Sequence, residues 1–209
     1  MVNAKKIVQL LLKKYPDPKI ELRFKTPLEL LVATILSAQC TDVRVNEVTK
    51  DLFKTYKTAE NYAGAKVSTF EQEIRSTGFY KNKAKMIIKC CNQIVNEFNG
   101  KVPATIDELT SLAGIGRKTA NVILGSAFGK QTMGVDTHVL RVSNRLGLAH
   151  SKNPDKVESE LVHQFPGGKL TQINLALVLH GRRTCKAKKP LCPECVLYKE
   201  CEWQDKIKV

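Results

Sequence analysis

LAGIGRKTANVILGSAFGKQTMGVDTH, residues 112–138, is the stretch from which the architecture of the chain can be worked outward. Gly114 and Gly116 flank Ile115 in a tight turn between two helical patterns, and the second pattern opens at Arg117 and Lys118. Glycines at such a turn let a partner approach the backbone closely, while the start of the next helix presents N–H groups that no carbonyl of the helix satisfies. An anion, phosphate above all, suits that position. The same positive end of the helix dipole disfavours an ammonium and so favours the free, nucleophilic amine of Lys118. Asp136 follows eighteen residues later with a carboxylate that can act as its partner. A G-x-G turn alone commonly does no more than join two helices, and a lysine at a helix start is commonly just solvated. The combination is what points to covalent chemistry on nucleic acid.

Outward from this hairpin the periodicity is helical almost everywhere. Val45, Val48, Leu52, Phe53 and Tyr56 keep helical spacing, and so do Ile87, Cys91, Ile94, Val95 and Phe98. Val135, Val139, Val142 and Leu146 predict another helix, and Val157, Leu161, Val162 and Phe165 a further one. Thr26–Gln39 is apolar on nearly all sides, as expected of a helix buried in the middle of a lobe. Thr105 with Glu108 forms a capping box, and Asn153 before Pro154 reads as a cap followed by the first helical position. Gly181 fits a C-terminal cap after the apolar run around Leu175–Leu179. With no alternating strand and no solenoid repeat, the fold class is all-α.

The chain of 209 residues is 43% apolar, enough for one domain or two compact lobes. A formal charge of +14 and a pI near 9.5 make nucleic acid the leading partner and an anionic membrane the runner-up. The apolar run Ile7–Leu12 is too short to cross a membrane and lacks the small-residue site of a secretory signal, so a reducing compartment is expected. There, the tail pattern C-x6-C-x2-C-x5-C at Cys185, Cys192, Cys195 and Cys201 reads as metal ligands rather than disulfides. Thiolates hold both zinc and [4Fe–4S] clusters, and the spacing alone leaves the two open. Lys186, Lys188 and Lys189 lie between the first two of these cysteines, where a metal-tied loop can hold them against phosphates. Cys40, Cys90 and Cys91 are spare, the last two being core residues of an amphipathic helix.

With the hairpin, the tail cysteines and S-A-Q-C-T-D at Ser37–Asp42 in view, the chain closely resembles the endonuclease III family of helix-hairpin-helix DNA glycosylases with added lyase activity. The resemblance runs over nearly the whole chain. It implies two helical lobes with a DNA-binding cleft between them. One is a continuous six-helix unit at 22–131 holding the helix-hairpin-helix at about 107–128. The other combines 1–21 with 132–209 and carries a [4Fe–4S] cluster loop at 185–201. The expected partner is double-stranded DNA containing damaged pyrimidines or abasic sites, met by a cytoplasmic, nucleoid-associated monomer.

The resemblance also assigns roles. Lys118 attacks C1′ of a flipped nucleotide, Asp136 takes up a proton or supports charge on the sugar, and β-elimination then breaks the strand. Gly114, Gly116 and Arg117 grip the backbone, and the four tail cysteines hold the cluster. Gln39 resembles the residue that fills the gap left by the extruded base. Phe79 stands where the family often has a leucine wedge between base steps, which leaves its part open between wedge and core aromatic. Ala113 replaces a proline often seen before the hairpin. His138 and His180 read as structural histidines. Adenine-mispair and monofunctional mismatch glycosylases usually lack a lysine at the position of Lys118, so this residue favours the bifunctional enzyme. Two alternatives stay beside it: a glycosylase of the same fold with a shifted substrate, and a non-catalytic, metal-clipped helix-hairpin-helix DNA-binding module.

Overall fold

A computed structural model describes residues 2–207, and among them there are helices and no β-strand. The helices are α1 (Ala4–Lys14), α2 (Pro27–Leu36), α3 (Asp42–Thr55), α4 (Ala59–Ala63), α5 (Val67–Glu73), α6 (Tyr80–Phe98), α7 (Ile106–Ser111), α8 (Arg117–Phe128), α9 (Thr137–Arg145), α10 (Pro154–Gln164) and α11 (Leu170–Arg183). Two 3-10 turns, Arg75–Thr77 and Cys192–Glu194, complete the regular structure. The chain divides into two compact units: Ile20–Gly129, and the described residues on either side of it.

The first unit is built around α2. Thr26 caps this helix with its side chain on the Glu29 N–H, Pro27 occupies the first helical position, and Leu30, Leu31, Val32, Ala33 and Leu36 are fully buried. A helix apolar all round has to be enclosed, and α6 and α8 pack against it. Each such leucine contributes about 1.5–3 kcal/mol when removed from water. Cys90 and Cys91 lie wholly in this core, where burial pushes the Cys90 thiol up to about 12 and the Cys91 thiol higher still. Tyr56 and Tyr62 stack at 4.9 Å beside Phe70, and the Tyr56 hydroxyl donates to Glu73. This unit holds α2–α8, seven helices rather than six, because Gly64 ends α4 before α5 begins.

The second unit gathers α1 and α9–α11 around Ile7, Leu11, Val139, Val142, Leu161 and Leu177. Asn153 caps α10 from its side chain with Pro154 behind it, as the dipeptide predicts. The Thr105 cap of α7 also forms, but the Glu108 carboxylate accepts from the Thr105 hydroxyl instead of reaching back to the backbone.

Gly181 departs from expectation. It lies inside α11, which continues to Arg183 and is capped by Thr184. Its role is steric: a Cβ there would meet the His138 Cβ at 2.8 Å and Val142 Cγ2 at 3.2 Å. The missing side chain lets α11 approach α9, so helix packing rather than helix termination selects glycine here.

Candidate active site and DNA-binding elements

In the hairpin, α7 and α8 are joined by Leu112–Gly116. Leu112 and Ile115 are buried and pin the turn to the core, while Gly114 stands at φ 79° with Met86 3.3 Å from where a Cβ would be. Gln93 on α6 braces the turn from both sides: its Oε1 accepts from the Ala113 N–H at 2.8 Å and its Nε2 donates to the Ser111 carbonyl. This brace supplies rigidity in a turn that lacks the proline. Helix α8 then starts at a glycine cap, Gly116, which brings no side-chain acceptor, and its first turn contains no acidic residue. No acidic side chain of the helix's own first turn therefore competes with an incoming anion at that helix start. Arg117 and Lys118 are both exposed there, Lys118 as the second residue of the helix.

Two further elements of this unit project single residues. After α2 the chain turns through Ser37–Cys40, closed by the Cys40 N–H on the Ser37 carbonyl, with Gln39 exposed at φ 53°. After the 3-10 turn at Arg75–Thr77, Gly78 at φ 70° leads to Phe79 at φ 49°, which caps the start of α6. Both Gln39 and Phe79 hold left-handed backbone that residues with a Cβ adopt only when their surroundings impose it. Phe79 is 66% exposed, so it is no core aromatic.

In the other unit Asp136 caps α9. Its Oδ1 accepts from the His138 and Val139 N–H groups, both at 2.8 Å. The carboxylate is half-buried and oriented by the helix it starts. His138 meets the Arg141 guanidinium through Nδ1.

Cys185, Cys192, Cys195 and Cys201 line one pocket together with His180 and Tyr198, enclosing about 350 Å³ of atom-free space that is partly open to solvent. All seven cysteines are free thiols. Among the described residues no three or more His, Cys, Asp or Glu side chains converge on a point that could hold a single metal ion. The donor set and its position nonetheless fit an iron–sulfur cluster: four thiols face a common, largely apolar space, and such a cluster is held by four thiolates. Burial raises the Cys195 thiol to about 11 and also raises that of Cys201. His180 closes the inner wall, with Nδ1 near the Tyr15 hydroxyl and Nε2 3.6 Å from the Cys195 sulfur, and burial, aided by Lys14, pushes it down to about 4.

The basic loop that leaves this pocket is exposed at Lys186, Lys188 and Lys189. Two arginines one turn apart on α9 fasten it. Arg141 donates to the carbonyls of Cys185 and Gly181, and Arg145 donates to those of Lys186 and Ala187 and to the Cys185 sulfur while stacking 3.7 Å over Trp203. Sequence reasoning did not find these arginines. Their i,i+4 spacing on one helix face was the available signal, but it does not say what the face meets. The cap formed by Asp136 and the buried Lys83 were missed as well.

A hairpin with a glycine-capped second helix in one unit, and a thiol-lined pocket with a fastened basic loop in the other, define a helix-hairpin-helix DNA-repair protein. Residues 32–166 match the HhH-GPD superfamily of base excision DNA repair proteins. The chain is 47% identical to the endonuclease III of Synechocystis over 95% of its own length and 91% of that protein's. It is 42% identical to the Escherichia coli endonuclease III, over 93% of this chain and 92% of that one. It is also similar to the solved structure of a trapped endonuclease III–DNA covalent intermediate, with a TM-score of 0.91 and 42% identity over 97% of each chain. The chain belongs to the endonuclease III family.

Proposed function

We propose that Lys118 is the nucleophile, and Asp136 its acidic partner, of a bifunctional DNA glycosylase and abasic-site lyase that removes oxidised pyrimidines from duplex DNA. The activity follows from the family. The observation that carries the assignment to Lys118 is local: an exposed amine in the first turn of α8, directly behind the Gly114–Gly116 turn, with no acid in that turn to pair it. Any phosphate bound at the helix start brings its sugar to the lysine.

A base within the duplex is shielded, so the nucleotide has to be extruded. Gln39 fills the vacated space and Phe79 wedges between base steps, while Gly114, Gly116 and Arg117 hold backbone phosphates of the same strand region. Lys186, Lys188 and Lys189 add further phosphate contacts on a loop whose ordering cost has already been met in folding. The Lys118 amine then forms a bond to C1′ as the glycosidic C1′–N bond breaks and the electron pair leaves with the base. Asp136 accepts the proton that the attacking nitrogen sheds and stabilises positive charge on the sugar through the carboxylate oxygen that does not cap α9. Ring opening gives an imine between Lys118 and C1′. Loss of a C2′ proton then expels the 3′ phosphate by β-elimination, and water returns the lysine as free amine.

Cys185, Cys192, Cys195 and Cys201 would hold the family's [4Fe–4S] cluster. Thiols ranged around a pocket suit one iron per thiolate, whereas a structural zinc ion needs them on a single point. When bound, the cluster supplies a covalent clamp for the basic loop and no step of the excision passes through it. Such an enzyme works on nucleoid DNA in the cytoplasm; among the described residues no helix is long and apolar enough to cross a membrane.

Borohydride trapping on a duplex with one thymine glycol tests this reading. Wild type is expected to give a covalent adduct and Lys118→Gln none. Normal strand cleavage by the variant would refute the assignment.

A further inference from the structure

Lys83 is a buried lysine that the excision chemistry does not use. It lies in the first turns of α6 and is only 4% exposed. Its Nζ donates to the carbonyl of Leu36 at 2.7 Å and to that of Thr77 at 2.8 Å. Burial lowers its pKa from the ordinary lysine value. A lysine placed merely to stabilise a core needs no more than some acceptor within reach, and these two acceptors are not arbitrary. Leu36 ends α2, three residues before Gln39, and Thr77 ends the 3-10 turn, two residues before Phe79. The backbone N–H of Lys83 also donates to the Phe79 carbonyl.

One side chain thus ties together the bases of both projecting turns, each of which holds its tip in left-handed backbone. The chemistry suits the task. An ammonium is a compact charge with three donors, and the last carbonyls of a helix form the negative end of its dipole. The other bonds that close each turn are local to it. The Gln39 turn is closed by the Ser37, Ala38 and Cys40 N–H groups on Ala33, Ile35 and Ser37 and by the Ser37 hydroxyl on Thr34, and the Phe79 turn by the Thr77 N–H and hydroxyl on Ile74 and the Gly78 N–H on Arg75. Among these bonds only those of Lys83 link one turn to the other.

We propose that Lys83 is a positioning residue that fixes the spacing between the Gln39 and Phe79 tips, so that gap filling and wedging occur together when a nucleotide is extruded from duplex DNA. This rests on the reading that those two tips enter the duplex. Lys83 does not touch the reacting atoms; it acts through the two turns. Its effect is therefore confined to substrates that have to be opened.

The test is a thermodynamic cycle read by single-turnover kinetics on two substrates: a duplex with one thymine glycol, and a single-stranded oligonucleotide with one abasic site. Lys83→Met is expected to slow duplex excision on the order of 10²-fold, the scale of a misplacement of about 1 Å, and to leave single-strand β-elimination within about twofold. Lys83→Arg, which keeps a charged donor, is expected to restore much of the duplex rate. In a Gln39→Ala/Phe79→Ala background the Lys83→Met change is expected to have little further effect, because the tips it positions are gone. Equal losses on both substrates, or effects that multiply in full in the triple variant, would overturn the proposal. If Gln39→Ala/Phe79→Ala itself excises from duplex at the wild-type rate, the insertion reading fails first and the proposal falls with it. Should Lys83→Met not fold, Lys83→Gln carries the same cycle, since it keeps an N–H donor but ends one bond short of both carbonyls.

Discussion

Asp136 holds two positions at once, and the two can be separated by one atom. Its Oδ1 caps α9 through two N–H bonds of 2.8 Å, and its charge is the partner proposed for Lys118. Asparagine caps a helix about as well as aspartate, so Asp136→Asn keeps the acceptor and removes the charge. Alanine removes both. Loss of such a cap costs about 1–2 kcal/mol. In a chain of this length that corresponds to a fall in Tm of roughly 2–8 °C. Asp136→Asn is therefore expected to melt within about 2 °C of wild type. Removing an electrostatic stabiliser from the transition state costs about 10²–10³-fold in rate, and both variants are expected to lose that much base excision. The assay pairs thermal unfolding followed by circular dichroism with single-turnover excision from a thymine glycol duplex. An Asp136→Asn enzyme that melts as low as Asp136→Ala would show that the cap depends on the charge. One that excises at the wild-type rate would remove Asp136 from the chemistry.

Gly181→Ala should destabilise the second unit despite the better helix propensity of alanine: a Cβ 2.8 Å from that of His138 costs about 1–3 kcal/mol against a gain of at most about 1. A Tm at or above wild type would show that α9 and α11 have room to spare. Keeping the Cys90 thiol and the Tyr56 phenol neutral stabilises the first unit fully below their ordinary values of 9.0 and 10.0, and that stabilisation is lost as pH rises toward their folded values of about 12. Urea titrations between pH 8 and 11 should show stability falling with pH, and a flat profile in this range would contradict the burial argument. Cys195→Ser is expected to lower bound iron and the visible thiolate-to-iron absorption of the purified enzyme, and to weaken DNA binding. Full iron content in that variant would place the ligand elsewhere.

The helices were legible because burial selects apolar residues at a 3.6-residue period: α3 and α6 follow the stripe read from their sequence, and α10 follows it at Val157, Leu161 and Phe165 but leaves Val162 exposed. The thiol pocket was legible for a different reason, since four cysteines within 17 residues can reach one space without help from the rest of the fold. Gly181 misled because an interior glycine and a terminal one look alike in sequence, and only the proximity of His138 tells them apart. The cap at Asp136 was hidden by Val135, whose apolar spacing drew the start of the next helix two residues too early. Lys83 could not be recognised at all: nothing local marks a lysine as buried when one of its acceptors lies 47 residues upstream. Nor does any pattern in the residues announce that α1 belongs with α11, and the resemblance alone carried the expectation of a discontinuous lobe.

That discontinuity imposes an order on biosynthesis. Ile20–Gly129 has its own core and can fold as it leaves the ribosome. Helix α1, made first, presents Ile7 and Leu11 to a partner, α11, that does not exist until Leu170–Arg183 has been translated. At about 5–20 residues per second the interval is about 10–30 s. Throughout it a basic, amphipathic helix hangs from the growing chain with its apolar stripe uncovered, a natural substrate for a nascent-chain chaperone. The thiol loop emerges later still, so the cluster proposed for it would be loaded at the close of folding and not at its start.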